Sequence, residues 1–421
     1  MLRLPRWIAV VLVVLLVGGC ASTLLSPLDA TPTATPQPTR VRTKPTPVPL
    51  TDAAEQLAQA NNTFGFDLLA QLHTESPEEN LFFSPLSMAL ALQMIYNGAS
   101  EDIQDEAATV LHLPSTSVAD LNEANRVLQG NLRGAEEIEL LIANSIWLNS
   151  LLGAGLFEDF AERMNQSYDA EVAELDFADP ESVNTINGWV DEQTKGEITK
   201  VLQDTPADIA LYLVNAIYFK GDWQEQFDPA QTSEEPFTLA DGTQKNFPLM
   251  HQSNAFRYYQ GENFALAALP YGEEGRMQMV LLLPDEGTPL ESLLADLNPE
   301  TWQQWVAAMN QGQLFVALPR FGAEYTNEQM LDTLAILGLP TRGYTDISAS
   351  AAGRISQFIH KAIVKVNEEG TVAAAVSVGA MPSSGPPSFI VNRPFFLTIQ
   401  DSETGAILFM GAIYDPQPLE E

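Results

Sequence analysis

The chain has 421 residues, 45% of them apolar, and its 55 acidic against 20 basic residues give a formal net charge of −35. An acidic surface repels phosphate backbones and anionic glycans, so neither nucleic acid nor a heparin-like partner is expected. The single cysteine, Cys20, excludes an internal disulfide, and the four scattered histidines give no zinc-ligand spacing, so no metal and no cofactor is expected.

The first twenty residues have the pattern of a bacterial export signal. Arg3 and Arg6 precede an apolar run over residues 7–17, which is too short to span a bilayer comfortably. The run leads into residues 17–20 (VGGC), which are similar to a lipobox. That resemblance implies cleavage before Cys20 and its lipidation, with several acyl chains giving firm anchoring. The alternatives are an uncleaved N-terminal anchor and a secretory signal with a chance cysteine.

Residues 21–50 are rich in Thr and Pro, a composition that favours an extended polyproline II spacer over a packed core. The predicted organisation is therefore a signal peptide over 1–19, a lipidated cysteine with its linker over 20–50, and one folded domain over 51–421. We expect an extracytoplasmic protein, lipid-anchored to the bacterial cell envelope or extracellular.

The folded domain opens with two predicted helices. Apolar residues at helical spacing predict the first over residues 57–72. Ser84 is a plausible N-cap with Pro85 at the first helical position, and residues 86–96 are apolar almost without interruption. A helix that is apolar on every side is normally buried.

Strands and helices then alternate without βαβ regularity, which predicts an α+β class with large, mostly antiparallel sheets. The strands 266–269 and 277–283 should pair across the turn formed by residues 272–275. Further strands are predicted at 142–148, 211–219, 314–318, 355–366, 389–400 and 407–414, and further helices at 183–194, 289–297, 299–309 and 327–337.

Five groups of motifs resemble those of the serpins, in family order and over essentially all of residues 51–421. They are 80–87 (NLFFSPLS), 186–190 (INGWV) with 194–198 (TKGEI), 213–223 (LVNAIYFKGDW), 389–397 (FIVNRPFFL) and 407–411 (ILFMG). The resemblance implies three β-sheets with a central five-stranded sheet, eight or nine helices, and an exposed reactive-centre loop over about residues 368–388.

The resemblance also implies an activity, the suicide-substrate inhibition of serine-type proteases. The protease cleaves the loop and forms an acyl-enzyme, and the loop then inserts into the central sheet as an extra strand. The expected partner is thus a target serine-type protease, bound covalently by a monomer that is not itself an enzyme. A protease activity finds no support, because no Gly-x-Ser-x-Gly elbow is present.

Residues 368–377 (EEGTVAAAVS) match the hinge of inhibitory serpins. Strand side chains alternate faces, so the small residues Thr371, Ala373, Ala375 and Ser377 should point one way on insertion. No proline, charge or large residue interrupts residues 371–378, and each of these would oppose burial in a sheet. The full predicted hinge is Glu368, Glu369, Gly370, Thr371, Ala373, Ala374 and Ala375.

The scissile bond is open to three assignments. Counting forward from the hinge places Ser384 before the cut, whereas counting back from Pro394 places Ser383 there. Met381 is the more attractive anchor for an elastase-type enzyme, although a cut there leaves a short inserting segment. Residues 371–391 contain no Lys or Arg, so elastase-like or subtilisin-like targets fit better than trypsin-like ones.

The resemblance assigns two further groups of residues around the central sheet. Ser84, Ser87, Asn215 and His360 would form the shutter beneath the sheet, where strands must part. Trp223, Arg320 and Glu368 would form the breach, where the loop enters, and an Arg320–Glu368 salt bridge would keep the uncleaved loop out. The competing function is a non-inhibitory serpin that acts as a cell-surface binding or structural protein.

Overall fold

The computed structural model describes residues 49–134, 138–153, 155–327, 329–348, 353–370 and 386–419. Within these ranges the chain forms nine α-helices and fourteen β-strands. The helices are α1 (Asp52–Glu75), α2 (Pro85–Tyr96), α3 (Glu101–Val110), α4 (Val118–Arg133), α5 (Glu158–Tyr168), α6 (Glu181–Gln193), α7 (Leu290–Leu294), α8 (Pro299–Ala308) and α9 (Met330–Ile336). None of the helices in these ranges has the length and apolar character needed to cross a membrane.

The strands belong to two hydrogen-bonded sheets. They are β1 (Leu81–Phe83), β2 (Ile138–Asn149), β3 (Glu171–Leu175), β4 (Leu211–Gly221), β5 (Ser233–Thr238), β6 (Gln244–Gln260), β7 (Phe264–Tyr271), β8 (Met277–Pro284), β9 (Asn310–Pro319), β10 (Phe321–Thr326), β11 (Gln357–Val366), β12 (Ser388–Ile390), β13 (Phe395–Asp401) and β14 (Ile407–Ile413). The α+β class is confirmed, and most strand pairs are antiparallel, as predicted.

Helix α2 is the buried element that the sequence predicts. Ser84 caps it, because its side-chain oxygen accepts a hydrogen bond from the Ser87 N–H at 3.0 Å, and Pro85 occupies the first turn. Every residue from Pro85 to Tyr96 is buried. The helix therefore packs within the core and supports the central sheet from beneath.

The central sheet has five strands in the order β10-β11-β4-β2-β3. Strands β2 and β4 are antiparallel, whereas β11 lies parallel to β4. Side chains on one face join the main core, and those on the other pack against α6 through Ile186 and Val190. The five-stranded central sheet is confirmed.

The remaining nine strands form one sheet, which joins the two smaller expected sheets. Eight of them follow the order β1-β14-β13-β8-β7-β6-β9-β12, and β5 pairs with β6 beside this path. The seventeen-residue strand β6 makes the connection, because it pairs with β5 and β9 along most of its length and with β7 at its end. Strands β7 and β8 pair antiparallel across the predicted turn, in which Gly272 and Gly275 have φ of +69° and +62°.

One predicted strand is wrong in extent. Residues 389–400 form two strands, since β12 ends at Ile390 and β13 begins at Phe395. Pro394 has no N–H for a ladder, and the Arg393 Nε donates to the Pro284 carbonyl oxygen at 2.7 Å. The chain therefore crosses from a place beside β9 to one between β8 and β14.

A buried ion pair fixes the end of β13. Arg276 donates from Nε and one terminal nitrogen to the two carboxylate oxygens of Asp401, both at 2.8 Å. The Asp401 side chain is 0% exposed, and the same arginine also donates to Asn131 of α4. The pair thus ties β8, β13 and α4 together.

We expect Arg276→Met to lower the free energy of unfolding by about 3–5 kcal/mol, because it leaves the buried Asp401 carboxylate without its cation. The matched control is Arg126→Met, whose pair with Glu123 has both side chains more than half exposed; it should cost less than about 1 kcal/mol. Urea unfolding followed by circular dichroism measures both. Equal losses would contradict the assignment of Arg276 as a structural ion-pair partner.

Candidate functional site

The candidate site lies along the line between β4 and β11, which we call the seam. The two strands pair in parallel from Gln357 opposite Tyr212 to Ile363 opposite Tyr218. Both strands continue three residues further, to Val366 and Gly221, without pairing with each other. The seam is therefore hydrogen-bonded along most of its length and open at the end where β4 and β11 both end.

The four residues predicted for the shutter lie together beneath the seam, and we call them the shutter cluster. Asn215 and His360 are directly opposite each other across it, and the His360 Nδ1 lies 2.6 Å from the Asn215 Oδ1. The Asn215 amide nitrogen contacts the Ser87 hydroxyl and donates to the Ser87 carbonyl oxygen at 3.2 Å. The first turn of α2 is thereby hydrogen-bonded to both strands.

The contacts of His360 define its tautomer. Its Nε2 accepts a hydrogen bond from the Ser84 N–H at 3.2 Å, so the ring proton must reside on Nδ1, which donates to Asn215. His360 is fully buried, and burial lowers the pKa of its imidazole to about 3. The shutter cluster is therefore uncharged in the folded chain at neutral pH.

The predicted breach residues lie at the open end of the seam and form the breach cluster. The Trp223 indole N–H donates to the Asn367 carbonyl oxygen at 2.9 Å, and its ring stacks on Tyr271 with centroids 4.3 Å apart. The Trp223 N–H also donates to the Glu369 carbonyl oxygen at 3.1 Å. Trp223, which follows β4, is thus hydrogen-bonded to the residues that follow β11.

Glu368 is the acidic residue of the breach cluster. Its carboxylate lies 3.8 Å from the Arg320 Nε and accepts a hydrogen bond from the Thr232 hydroxyl at 2.7 Å. Arg320 is 43% exposed at its side chain, so the ion pair is long and partly solvated, and we expect it to contribute little by itself. The shorter contact with Thr232 is the stronger tether.

Gly370 is the last described residue before the loop, and its position requires glycine. Its φ is +91°, and a Cβ there would lie 2.1 Å from the Trp223 nitrogen and 2.6 Å from the Gly221 oxygen. The close approach of two backbones leaves no room for a side chain. The chain must therefore leave β11 at this point through a glycine.

Several predicted site residues lie outside the described ranges, so their assignments stay predictions. They are Cys20, the hinge residues Thr371, Ala373, Ala374 and Ala375, and the three candidates for the scissile bond, Met381, Ser383 and Ser384.

The structure adds three residues that the sequence analysis missed. Asn144 on β2 accepts a hydrogen bond from the Asn215 amide at 2.6 Å, Thr232 contacts Glu368, and Asn367 receives the Trp223 indole. A polar residue within the apolar run of β2 is a signal that could have revealed Asn144. Nothing in the local sequence marks Thr232.

Comparison with known proteins identifies the class of fold. The family model described as Serpin (serine protease inhibitor) matches residues 59–416. Serpin B6 of Macaca fascicularis is 35% identical over 379 residues, covering 86% of this chain and 99% of its own. The leukocyte elastase inhibitor of Homo sapiens is 33% identical over 388 residues, covering 86% and 100%. The chain belongs to the serpin family.

A further relative and two solved structures extend the comparison. An uncharacterized serpin-like protein of Thermococcus kodakarensis is 31% identical over 426 residues, covering 97% of this chain and 98% of its own. Human thyroxine-binding globulin complexed with thyroxine has a TM-score of 0.79 at 26% identity, over 87% and 100% of the two chains. The thermophilic serpin tengpin in its native state has a TM-score of 0.78 at 27% identity, over 89% and 97%.

We expect the neutral buried His360 to make folding weaken in acid. The imidazole has a pKa near 6.5 in the unfolded chain and about 3 in the folded chain. Between these two pH values the unfolded chain therefore binds a proton that the folded chain does not bind. The free energy of unfolding should therefore fall by about 1.5 kcal/mol between pH 6.5 and 5.0 through this group.

Urea unfolding of the uncleaved protein at both pH values, compared with His360→Asn, measures this dependence. The variant should lose about 1.5 kcal/mol less than the wild type over the same interval. Parallel losses in the two proteins would show that His360 does not titrate between the folded and unfolded states.

Gly370→Ala tests the close approach at the end of β11. We expect it to lower the free energy of unfolding by about 3 kcal/mol, because a Cβ must displace backbone as well as accept a positive φ. The matched control is Gly242→Ala, where φ is +81° and no atom lies within 4 Å of the added Cβ; it should cost about 1 kcal/mol. Losses of equal size in thermal or urea unfolding would rule out the steric contact.

Proposed function

We propose that this chain is a suicide-substrate inhibitor of serine-type endopeptidases that acts by inserting its cleaved loop into the seam. The observation that carries the proposal is the register at the end of β11. Asn367 pairs antiparallel with Gly370, so a strand that continues this hairpin runs back along β11 between it and β4. The inserted strand would be antiparallel to both neighbours.

The faces of β11 agree with the alternation in the hinge. Continuing the pairing of Asn367 with Gly370 sets Thr371 opposite Val366, Ala373 opposite Val364, and Ala375 opposite Ala362. Paired residues share a face of the sheet, and these three partners belong to the main core beneath it. The small hinge side chains would therefore be the ones that enter the core.

The same register gives Ser377 a role at the shutter. It would lie opposite His360, and thus between His360 and Asn215, whose contact must break when the strands part. A serine hydroxyl both donates and accepts a hydrogen bond, so it can satisfy both partners after insertion. The polar groups of the shutter cluster would then stay paired in both states.

The composition of the loop supports elastase-like or subtilisin-like targets. Residues 371–391 contain no Lys or Arg, so a protease whose specificity pocket is acidic finds no matching side chain. Relatives of this chain include proteins named leukocyte elastase inhibitor. We propose cleavage within residues 381–384.

The hinge offers a matched pair of variants. Ala373→Glu would carry a charge into the core face on insertion and should convert the protein into a substrate that is cleaved without trapping the protease. Val372→Glu places the same charge opposite Lys365, which is exposed on the other face, and should preserve inhibition.

Each variant and the wild type are mixed with an elastase, a subtilisin and trypsin and run on denaturing gels with mass spectrometry of the released peptide. We expect an SDS-stable complex from the wild type and Val372→Glu and none from Ala373→Glu. Clean cleavage of the wild type by every enzyme that attacks the loop, without any complex, would contradict inhibition and favour the non-inhibitory alternative.

We also propose that Cys20 anchors the protein outside a bacterial cell. The support is the signal-like segment before it and the Thr/Pro-rich linker after it. In a bacterial host, the full chain should enter the membrane fraction and the detergent phase, and Cys20→Ser should leave that fraction. Mass spectrometry of the wild type that finds residues 1–19 retained, or an unmodified Cys20, would contradict the anchor.

A further inference from the structure

A short segment follows α6 on the outer face of the central sheet, and we call it the strap (residues 194–202). Thr194 fixes its start, because the buried Thr194 hydroxyl accepts a hydrogen bond from the Ile198 N–H at 3.1 Å. Asn187 of α6 fixes its end, since its side chain accepts from the Leu202 N–H at 3.0 Å and donates to the Leu202 carbonyl oxygen at 2.9 Å. The strap is therefore held to α6 at both ends.

The strap lies over strands on both sides of the seam. Ile198 is buried in the apolar cluster between α6 and the sheet, and this cluster contains residues of β4 and of β11. Lys195 forms an ion pair with Glu139 of β2. On the other side of the seam, the Lys361 Nζ of β11 donates to the Lys200 carbonyl oxygen at 3.1 Å. The strap thus spans the seam from β2 to β11.

Glu197, in the middle of the strap, contacts both strands of the seam. Its carboxylate lies 3.1 Å from the Lys365 Nζ of β11. On β4, burial raises the pKa of the Tyr218 hydroxyl, and the charge of the neighbouring Glu197 and a hydrogen bond to it raise this pKa further. Tyr218 and Ile363 are the last residues that pair across the seam. Glu197 therefore bridges β4 and β11 beside the open end.

The Glu197–Lys365 ion pair is of a kind that can break and reform. The Lys365 and Glu197 side chains are 46% and 30% exposed, so water can solvate both charges once they separate. Neighbouring strands lie about 4.8 Å apart, so a strand placed between β4 and β11 would add about that distance to the contact. The pair must therefore break when the seam opens, and it leaves no buried charge behind.

We propose that Glu197 and Lys365 form a latch that holds the seam closed and sets the rate at which a strand enters it. This inference rests on the proposed function and adds its regulation. The strap is also tied to β2, which lies on the far side of β4 from β11, so the latch resists the movement of β11 away from β4. Because the ion pair is open to solvent, ionic strength weakens the latch.

Uptake of a synthetic peptide measures entry into the seam without a protease. The probe is the N-acetylated and amidated peptide of residues 371–384, which contains no charged side chain, so ionic strength acts on the protein alone. The full chain is tested as Lys365→Gln, as Glu197→Gln and as the double variant. The matched control is Lys195→Gln, which removes an ion pair of the same strap that does not reach β11.

The rate of peptide uptake should rise roughly twofold to fivefold in each single variant. The double variant should be no faster than either single variant, because all three lack the same ion pair. The control should match the wild type. An increase of NaCl from about 0.05 M to about 0.5 M should accelerate uptake by the wild type and leave the rate of Lys365→Gln unchanged.

Equal uptake rates in the wild type and both single variants would overturn the latch while leaving insertion into the seam intact. Equal acceleration by Lys195→Gln would also overturn it, because the strap would then act only through overall stability. A wild type that takes up no peptide and traps no protease would instead refute the proposed function.

Hydrogen exchange of the uncleaved protein tests the latch with neither peptide nor protease. The amides of residues 359–363 in β11 should exchange faster in Lys365→Gln than in the wild type, by a factor similar to that for uptake. The amides of residues 396–399 in β13, which belong to the other sheet, should exchange at the same rate in both. Unchanged exchange in β11, or an equal increase in both strands, would overturn the proposal.

Discussion

The parallel pairing of β4 with β11 is the interaction on which the rest of the structure depends. Parallel ladders are slightly less stable per residue than antiparallel ones, and this ladder stops three residues before either strand ends. In our account, an inserted strand exchanges one parallel ladder for two antiparallel ones. The uncleaved chain is then held in the less stable of two arrangements by the continuity of its loop, and cleavage releases that constraint.

The polar groups along the seam make this exchange feasible. Asn144, Asn215 and His360 lie side by side on three neighbouring strands, so the contact that must break is a hydrogen bond between neutral groups. Separating an ion pair there would leave buried charges, at a much greater cost. At the open end, Gly370 and the contacts of Trp223 would fix where an inserted strand begins, and this would set its register and the faces of its side chains.

Many of the helices, strands and site residues could be predicted from the sequence, for physical reasons that differ between elements. Helix α2 is apolar on all sides and has an evident cap, and β14 is an unbroken apolar run. Helix α4 was not predicted, because buried polar residues such as Asn122, Asn125 and Gln129 interrupt its apolar periodicity. They form hydrogen bonds with distant residues, among them Tyr168 of α5, and no local pattern shows such partners. The shutter and breach residues were identified in the sequence through the family resemblance. Asn144 and Thr232 were identified only from their contacts in the structure.

Thermal unfolding of the intact and the loop-cleaved protein tests the central claim most directly. The chain is nicked within residues 381–384 by a protease that is then removed, and both forms are heated in a calorimeter. An inserted strand adds on the order of ten net hydrogen bonds at about 1 kcal/mol each, so the account predicts that Tm rises by about 10 °C or more. An unchanged or lower Tm after complete cleavage would show that the loop does not enter the seam.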